Sequence, residues 1–368
     1  MSTNDTYLKL RLSRLLWKMG YFVRRNIPVS TYTLGKRVPK RIDITDIDVL
    51  GIRWDEDFTP DRIVCECKSG SKAKPLDRSF WLRGVMHFFG ARKGYLLVRE
   101  SGMVPGNVGA KMGVTVIDHN LLTDYEKRYD IKNDYWVGSC NPEIDSEIFL
   151  YRKSLKESVR RPLNYIVYGY WKDPEYYQIK RLITSGRELS RKFQPSIDAY
   201  RWLTFECINL FASSVLGFCN KLFVTEPQRI PEETSTELFG GFLSKRERQS
   251  IASSLLKLMR SYIESQYRDK FPLRPEDLNL NPDYFDKLVD LVVRLMSRPN
   301  ESKLLPAFLD LFFFEFLYRN KKPSKEELAS YTGDHDLYLL VKMAKNVVEF
   351  YLKSTSLNPD IFEPLLSF

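Results

Sequence analysis

Thr45-Asp46-Ile47-Asp48-Val49-Leu50-Gly51, followed by Val64-Cys65-Glu66-Cys67-Lys68-Ser69-Gly70, is the pair of runs on which the fold turns. Both are rich in Ile, Val and Leu and are bounded by turn formers, the signature of short buried strands. Side chains two apart on a strand share a face. Asp46 and Asp48 therefore point one way, and Ile47 and Val49 the other. In the second run Val64, Glu66 and Lys68 share a face, while Ile63, Cys65 and Cys67 share the opposite one. Neighbouring strands in register bring Asp48, Glu66 and Lys68 together. That many buried charges need partners. A divalent cation held by hard oxygen ligands is one resolution. A half-exposed sheet face carrying a Glu–Lys cross-strand pair is the other. The Asp…Glu-x-Lys spacing is short and by itself leaves both open.

The flanks add an order of elements. Tyr7 to Gly20 reads as an amphipathic helix with Leu8, Leu12, Leu15, Leu16 and Met19 on one stripe, and Tyr21-Phe22-Val23 as a strand. Asp77 is the expected cap of a helix running to about Gly90, with Trp81, Val85, Phe88 and Phe89 as its buried stripe. Gly94 to Val98 and Gly113 to Ile117 read as two more strands, and His119 to Tyr129 as a closing helix. Gly102 to Gly113 has no Gly-Lys-Ser/Thr and reads as a loop between strands. The expected core is thus helix, three strands, helix, two strands: an αβββαββ mixed sheet flanked by helices.

With the Asp-Ile-Asp of 46–48, the Glu-Cys-Lys of 66–68 and the helix Phe80-Trp81-Leu82-Arg83-Gly84-Val85 leading into Gly94-Tyr95-Leu96-Leu97-Val98, residues 7–118 resemble the PD-(D/E)XK, or restriction-endonuclease-like, superfamily. Within it they are most similar to Mrr-type restriction enzymes and Holliday-junction-resolvase-like nucleases. The resemblance covers about a third of the chain. It implies that Asp48, Glu66 and Lys68 are catalytic. Asp48, Glu66 and the backbone carbonyl of Cys67 would ligate Mg²⁺ or Mn²⁺, with Asp46 as a further ligand. Lys68 would orient the water that attacks the phosphodiester. Such a reaction needs positive charge beside a dianionic transition state and a poor alkoxide leaving group. Two departures stand out. The first helix reads Tyr7-Leu8-Lys9-Leu10-Arg11, without the Glu that many relatives carry there, Asp5 being the nearest carboxylate. Ile47 stands where the superfamily's name places proline.

Charge is distributed unevenly. Residues 1–130 hold 23 Lys and Arg against 15 Asp and Glu, and the remaining 238 hold 34 against 32. The first 41 residues hold ten basic residues against the single Asp5. Gly35-Lys36-Arg37-Val38-Pro39-Lys40-Arg41 is a basic loop just before the candidate metal strand, so Lys36, Arg37, Lys40 and Arg41 are candidate phosphate contacts. A solvated basic turn is the plainer reading of such a loop. Arg83 and His87, one helical turn apart, are further candidates for DNA contact, although such a His more often flanks a core.

Other chemistry is thin. His87, His119 and His335 lie far apart, without zinc spacing. Five cysteines, Cys65, Cys67, Cys140, Cys207 and Cys219, include no CxxC pair. That argues against a zinc ribbon or a secreted disulfide framework and for a reducing cytoplasm. No cleavable apolar signal opens the sequence. Its longest apolar run, Cys207 to Cys219, is shorter than the roughly 18 residues of a membrane span, so a soluble protein with no membrane partner is expected.

After residue 130 strand signals fade. Residues 1–130 read as a nuclease-like domain and 131–368 as an all-α accessory domain for recognition, oligomerisation or partner binding. Its expected helices are Glu143–Arg160, Asp173–Ser185, Ile197–Val224, Ser244–Arg268, Pro282–Ser297, Ser302–Tyr318, Lys325–Tyr331 and Leu337–Ser354. Glu226 to Gly241 reads as its longest loop. The aromatics Tyr165, Tyr168, Tyr170, Trp171, Tyr176 and Tyr177 suit either stacking of unpaired bases or, more commonly, packing. The resemblance implies a Mg²⁺-dependent DNA endonuclease of restriction or defence type, acting as a homodimer or within a larger defence complex. The alternatives are a catalytically inactive nuclease-fold module that binds nucleic acid or scaffolds a complex, and a junction-resolving or repair nuclease.

Overall fold

The computed structural model describes residues 3–33, 40–70, 74–131, 136, 138–192, 194, 197–267, 279–320, 322–326, 328 and 335–368. Its first part runs α1 (Thr3–Lys18), β1 (Phe22–Tyr32), β2 (Arg41–Trp54), β3 (Pro60–Lys68), α2 (Pro75–Phe88), β4 (Lys93–Val98), α3 (Met103–Lys111), β5 (Val114–Ile117) and α4 (His119–Arg128). The strands form one five-stranded sheet in the order β1-β2-β3-β4-β5. β1, β2 and β3 pair antiparallel. β3, β4 and β5 pair parallel, with α2 and α3 as the crossovers that parallel neighbours require.

The alternation along β3 is realised. Ile63, Cys65 and Cys67 pack with Leu8, Leu12, Leu15 and Leu16 of α1. Val64 packs with Leu82 and Met86 of α2. One helix therefore covers each face of the strand that carries Glu66.

Several boundaries differ from the sequence reading. α1 starts four residues earlier, at Thr3, which places Asp5 in its first turn. β1 is 11 residues long, with an irregularity between Val29 and Ser30. Pro75, not Asp77, opens α2; the cap position is Lys74, and Asp77 lies in the first turn. The buried face of α2 is Ser79, Leu82 and Met86, one residue off the aromatic stripe, and Phe88 is 62% exposed. The small residues explain the rotation. A Cβ on Gly94 of β4 would meet Met86 Sδ at 2.6 Å, so the helix seats these side chains over a glycine and leaves the rings beside the contact. The expected loop Gly102–Gly113 contains helix α3, whose Gly109 lies against β5.

The second part is helical: α5 (Pro142–Ser154), α6 (Arg160–Asn164), α7 (Glu175–Ser190), α8 (Asp198–Leu222), α9 (Ile230–Leu238), α10 (Phe242–Tyr267), α11 (Phe285–Met296), α12 (Pro299–Ser302), α13 (Leu305–Arg319) and α14 (Leu337–Thr355). α9 falls in the stretch expected to be a loop. Its Pro231 sits at a helix start, where proline costs no hydrogen bond, and Ile230, Thr234 and Leu238 give it a buried side. Part of the expected helix Lys325–Tyr331 lies outside the described residues. Phe205 and Phe211 of the 25-residue α8 stack on Phe313 of α13 and Phe350 of α14, with centroids 4.6 Å and 5.3 Å apart. Among the described residues α8 alone is long and apolar enough to cross a membrane, and its apolar stretch is buried here as the spine of the helical layer. Its core is continuous with that of the sheet: Phe22, Leu50 and Val64 belong to the same apolar cluster as Phe205 and Phe211.

Candidate functional site

The ladder between β2 and β3 runs from Trp54↔Pro60 to Val49↔Cys65 and goes no further. Beyond that point the Cys67 N–H is taken by the Asp48 carboxylate, at 2.7 Å from Oδ2. The two strands thus part where their acidic residues sit. Asp48 and Glu66 are brought together, both nearly buried at 4% and 3% exposure. The other Asp48 oxygen, Oδ1, lies 2.6 Å from Lys9 Nζ. Lys9 also donates to Asn26 Oδ1 at 2.8 Å. Asn26 holds a left-handed φ of 52°, a conformation that asparagine tolerates better than most residues.

Glu66 has its own cations. Its Oε1 is 2.7 Å from Lys68 Nζ and 3.8 Å from Arg78 Nη1 at the start of α2. Even so, burial and the Asp48 charge push the Glu66 carboxyl up to about 7, against the opposite pull of Lys68 and Arg78. Burial works against the Lys68 ammonium, but Glu66 and Asp48 hold it above its usual value. The Cys65 and Cys67 thiols face the α1 core, where burial raises both. Asp5 accepts the Ser69 N–H at 3.3 Å, one residue past Lys68. A third carboxylate therefore stands at the edge of the site.

Asp48, Glu66 and Lys68 are gathered as the strand alternation requires. Asp46 is exposed and opposite Pro28 on β1, with no hydrogen bond or ion pair to its side chain among the described residues. Lys36 and Arg37 lie outside the described residues. Lys40 is exposed, and Arg41 pairs with Asp43 at 2.9 Å and lies over the Tyr168 ring at 3.6 Å. Arg83 and His87 are exposed on α2, but the helix runs away from the site. Its end is fixed by Arg62 donating to Phe89 O, and Arg62 is about 13 Å up the strand from Glu66. Tyr165 and Tyr170 are core residues, not a stacking surface.

Arg78, Lys9 and Asp5 join the site without having been singled out as site residues. The available signal for Arg78 was its place in the first turn after a Glu-x-Lys strand, where a crossover helix must pass over the strand end. Five of the ten early basic residues, Lys9 among them, are spent inside the molecule. Arg11 and Arg14 pair with Glu126, Arg24 with Glu206 and Asp310, and Arg25 with Asp145. Among the described residues no group of three or more His, Cys, Asp and Glu side chains is arranged to hold a metal. No family model, curated protein or solved structure matches the chain.

Proposed function

We propose that this chain is a metal-dependent nuclease that hydrolyses phosphodiester bonds in DNA. The observation that carries the reading is the convergence of Asp48 and Glu66 where β2 and β3 separate, with Lys68 on Glu66. The donors suit a hard divalent cation. Burial first, and then the Asp48 charge, raise Glu66, and a bound cation would favour its charged form. Asp48, Glu66 and the Cys67 carbonyl would hold Mg²⁺ or Mn²⁺, on condition that Lys9 releases Asp48 Oδ1. A cation so bound would supply Lewis-acid polarisation of the phosphate.

The chain's own groups have separate tasks. Lys68, partly exposed beside Glu66, is placed to orient the attacking water and to stabilise charge on the phosphoryl oxygens. Arg78, also partly exposed, adds a second positive group on the same side. A role in restriction or defence, or in resolving branched DNA, differs only in the substrate taken.

The second reading is a nuclease fold that binds nucleic acid without cutting it. The Lys9–Asp48 pair favours it, because an ammonium then replaces the metal permanently. The deciding assay incubates purified protein with supercoiled, linear, single-stranded and branched DNA in Mg²⁺, Mn²⁺ or EDTA. Metal-dependent cleavage lost in Glu66→Ala and Lys68→Ala establishes the nuclease. Salt-sensitive binding retained in those variants, with no cleavage of any substrate, establishes the binding module.

A further inference from the structure

A cavity of about 640 Å³ opens between β1 and the helices α5 and α8, apart from the carboxylate pair. Its charged lining is Arg24, Arg25, Arg152, Asp145 and Glu206, and Asp310 stands behind Arg24, so the charges balance overall. Arg152 is the one guanidinium of the lining with no ion pair among the described residues. The acceptors are already used. Glu206 takes Arg24 Nε and Nη2, each at 2.7 Å. Asp145 takes Arg25 Nη2 at 2.6 Å.

The donors are not used up. Arg152 makes no hydrogen bond or ion pair among the described residues, and only approaches the Trp202 ring, at 5.8 Å. Its Nε is buried without a partner, as are Arg25 Nε and Trp202 Nε1. Burial pushes the Arg152 guanidinium below its usual value, in spite of Glu206 and Asp145 nearby. Buried polar atoms are seldom left unpaired, and a set of orphan donors around one cavity calls for an acceptor. Apolar surface surrounds them: Trp202 in the wall, and Phe149 and Leu150 at the rim, 71% and 61% exposed.

We propose that this cavity binds a small phosphorylated molecule with a planar apolar body, of which a nucleoside monophosphate is the simplest kind. Arg152 holds the phosphate, and Phe149 and Leu150, the exposed apolar side chains at the rim, pack against the ring. A nucleic-acid backbone fits less well, because Asp145 and Glu206 oppose a run of phosphates while one guanidinium without an ion pair suits one anionic group. Pockets of this size are typical of small-molecule sites. The site does not depend on nuclease activity.

The test measures calorimetric binding and melting temperature on the full chain. The probes are nucleoside monophosphates, a nucleoside without phosphate, inorganic phosphate and a short DNA duplex. At least one nucleoside monophosphate should bind saturably, about ten-fold or more tighter than inorganic phosphate or the bare nucleoside. Arg152→Gln should weaken it by about ten-fold or more, and Phe149→Ala should weaken it without changing phosphate binding. Arg152 forms no bond that its loss would break, so ligand-free Arg152→Met should melt no lower than the parent. Failure of every nucleoside monophosphate to bind, unchanged binding in Arg152→Gln, or Arg152-dependent binding of the duplex alone would overturn the assignment.

Discussion

Lys9 Nζ lies 2.6 Å from Asp48 Oδ1, and the two side chains are 5% and 6% exposed. The pair ties the first helix to β2 at the place where β2 leaves β3. Cys67 N–H holds the other Asp48 oxygen and Asn26 holds the ammonium from behind. Lys9 thus neutralises the carboxylate that a divalent cation would share with Glu66. Lys68 and Arg78 stand on Glu66 in the same way, so a divalent ion at the pair would have to displace Lys9 from Asp48.

Lys9→Met isolates Asp48 as a buried charge. Removing one member of a buried pair costs about 3–5 kcal/mol, and the variant should melt well below the parent in EDTA. Millimolar Mn²⁺ should then raise its melting temperature by more than it raises that of the parent, because the ion takes the vacated place. Thermal melts of both proteins, with and without the ion, make the comparison. Equal shifts in the two proteins count against Asp48 as a ligand.

Glu66 sets a pH dependence. Its carboxyl is pushed up to about 7 in the fold, mainly by burial and then by Asp48, whereas the unfolded chain titrates near 4.3. Between those values the folded state binds the extra proton, so stability falls as pH rises. The size is on the order of a few kcal/mol. Urea titrations from pH 5 to pH 8 should show this decline in the parent and a flatter profile in Glu66→Gln. Metal-dependent cleavage should move oppositely and increase through neutral pH, since the charged form would be the ligand under the proposed function.

The sheet was legible because β3 alternates without interruption, and both of its faces are filled as the spacing demands. The same alternation gathered Asp48, Glu66 and Lys68. Arg78 was not legible, and Asp5 was legible only as the carboxylate nearest the first helix, because their approach depends on where α2 and α1 begin. Pro75 and Thr3 decide that, each a few residues from the periodic signal. The α2 stripe was displaced by one residue because its aromatics outweigh Ser79 and Gly94 in any periodicity, although the small residues fix the contact. The basic excess of the first 41 residues suggested a partner. Much of it instead binds carboxylates 112 to 286 positions away, which charge counting along a chain cannot register.

Arg24 joins the sheet to the helical layer. It reaches Glu206 on α8 and Asp310 on α13, and burial pushes the Asp310 carboxyl up in spite of it. Arg24→Met should cost about 3–5 kcal/mol at neutral pH by stranding two buried carboxylates. Asp310, already raised by burial, would rise further without Arg24, so the deficit should shrink as pH falls towards 5. Adding Glu206→Gln should recover part of the loss, giving a non-zero coupling in a double-mutant cycle. Urea unfolding at two pH values reads each of these changes.

Gly106 and Gly109 lie on the same helix, α3, and should respond oppositely to alanine. A Cβ on Gly106 would meet nothing within 4 Å. There the gain is the ordinary helix preference of alanine, about 0.5–1 kcal/mol. A Cβ on Gly109 would come within 2.8 Å of Val114 O and 3.2 Å of Val116 Cγ2. The first contact is to backbone in β5, which cannot turn aside as a side chain can. Overpacking of this kind costs about 1–3 kcal/mol and outweighs the helical gain. Gly109 also lies beside Ser79, the neighbour of Arg78, so the displacement should reach the Glu66 site. Gly106→Ala should therefore raise the melting temperature with cleavage unchanged, and Gly109→Ala should lower both.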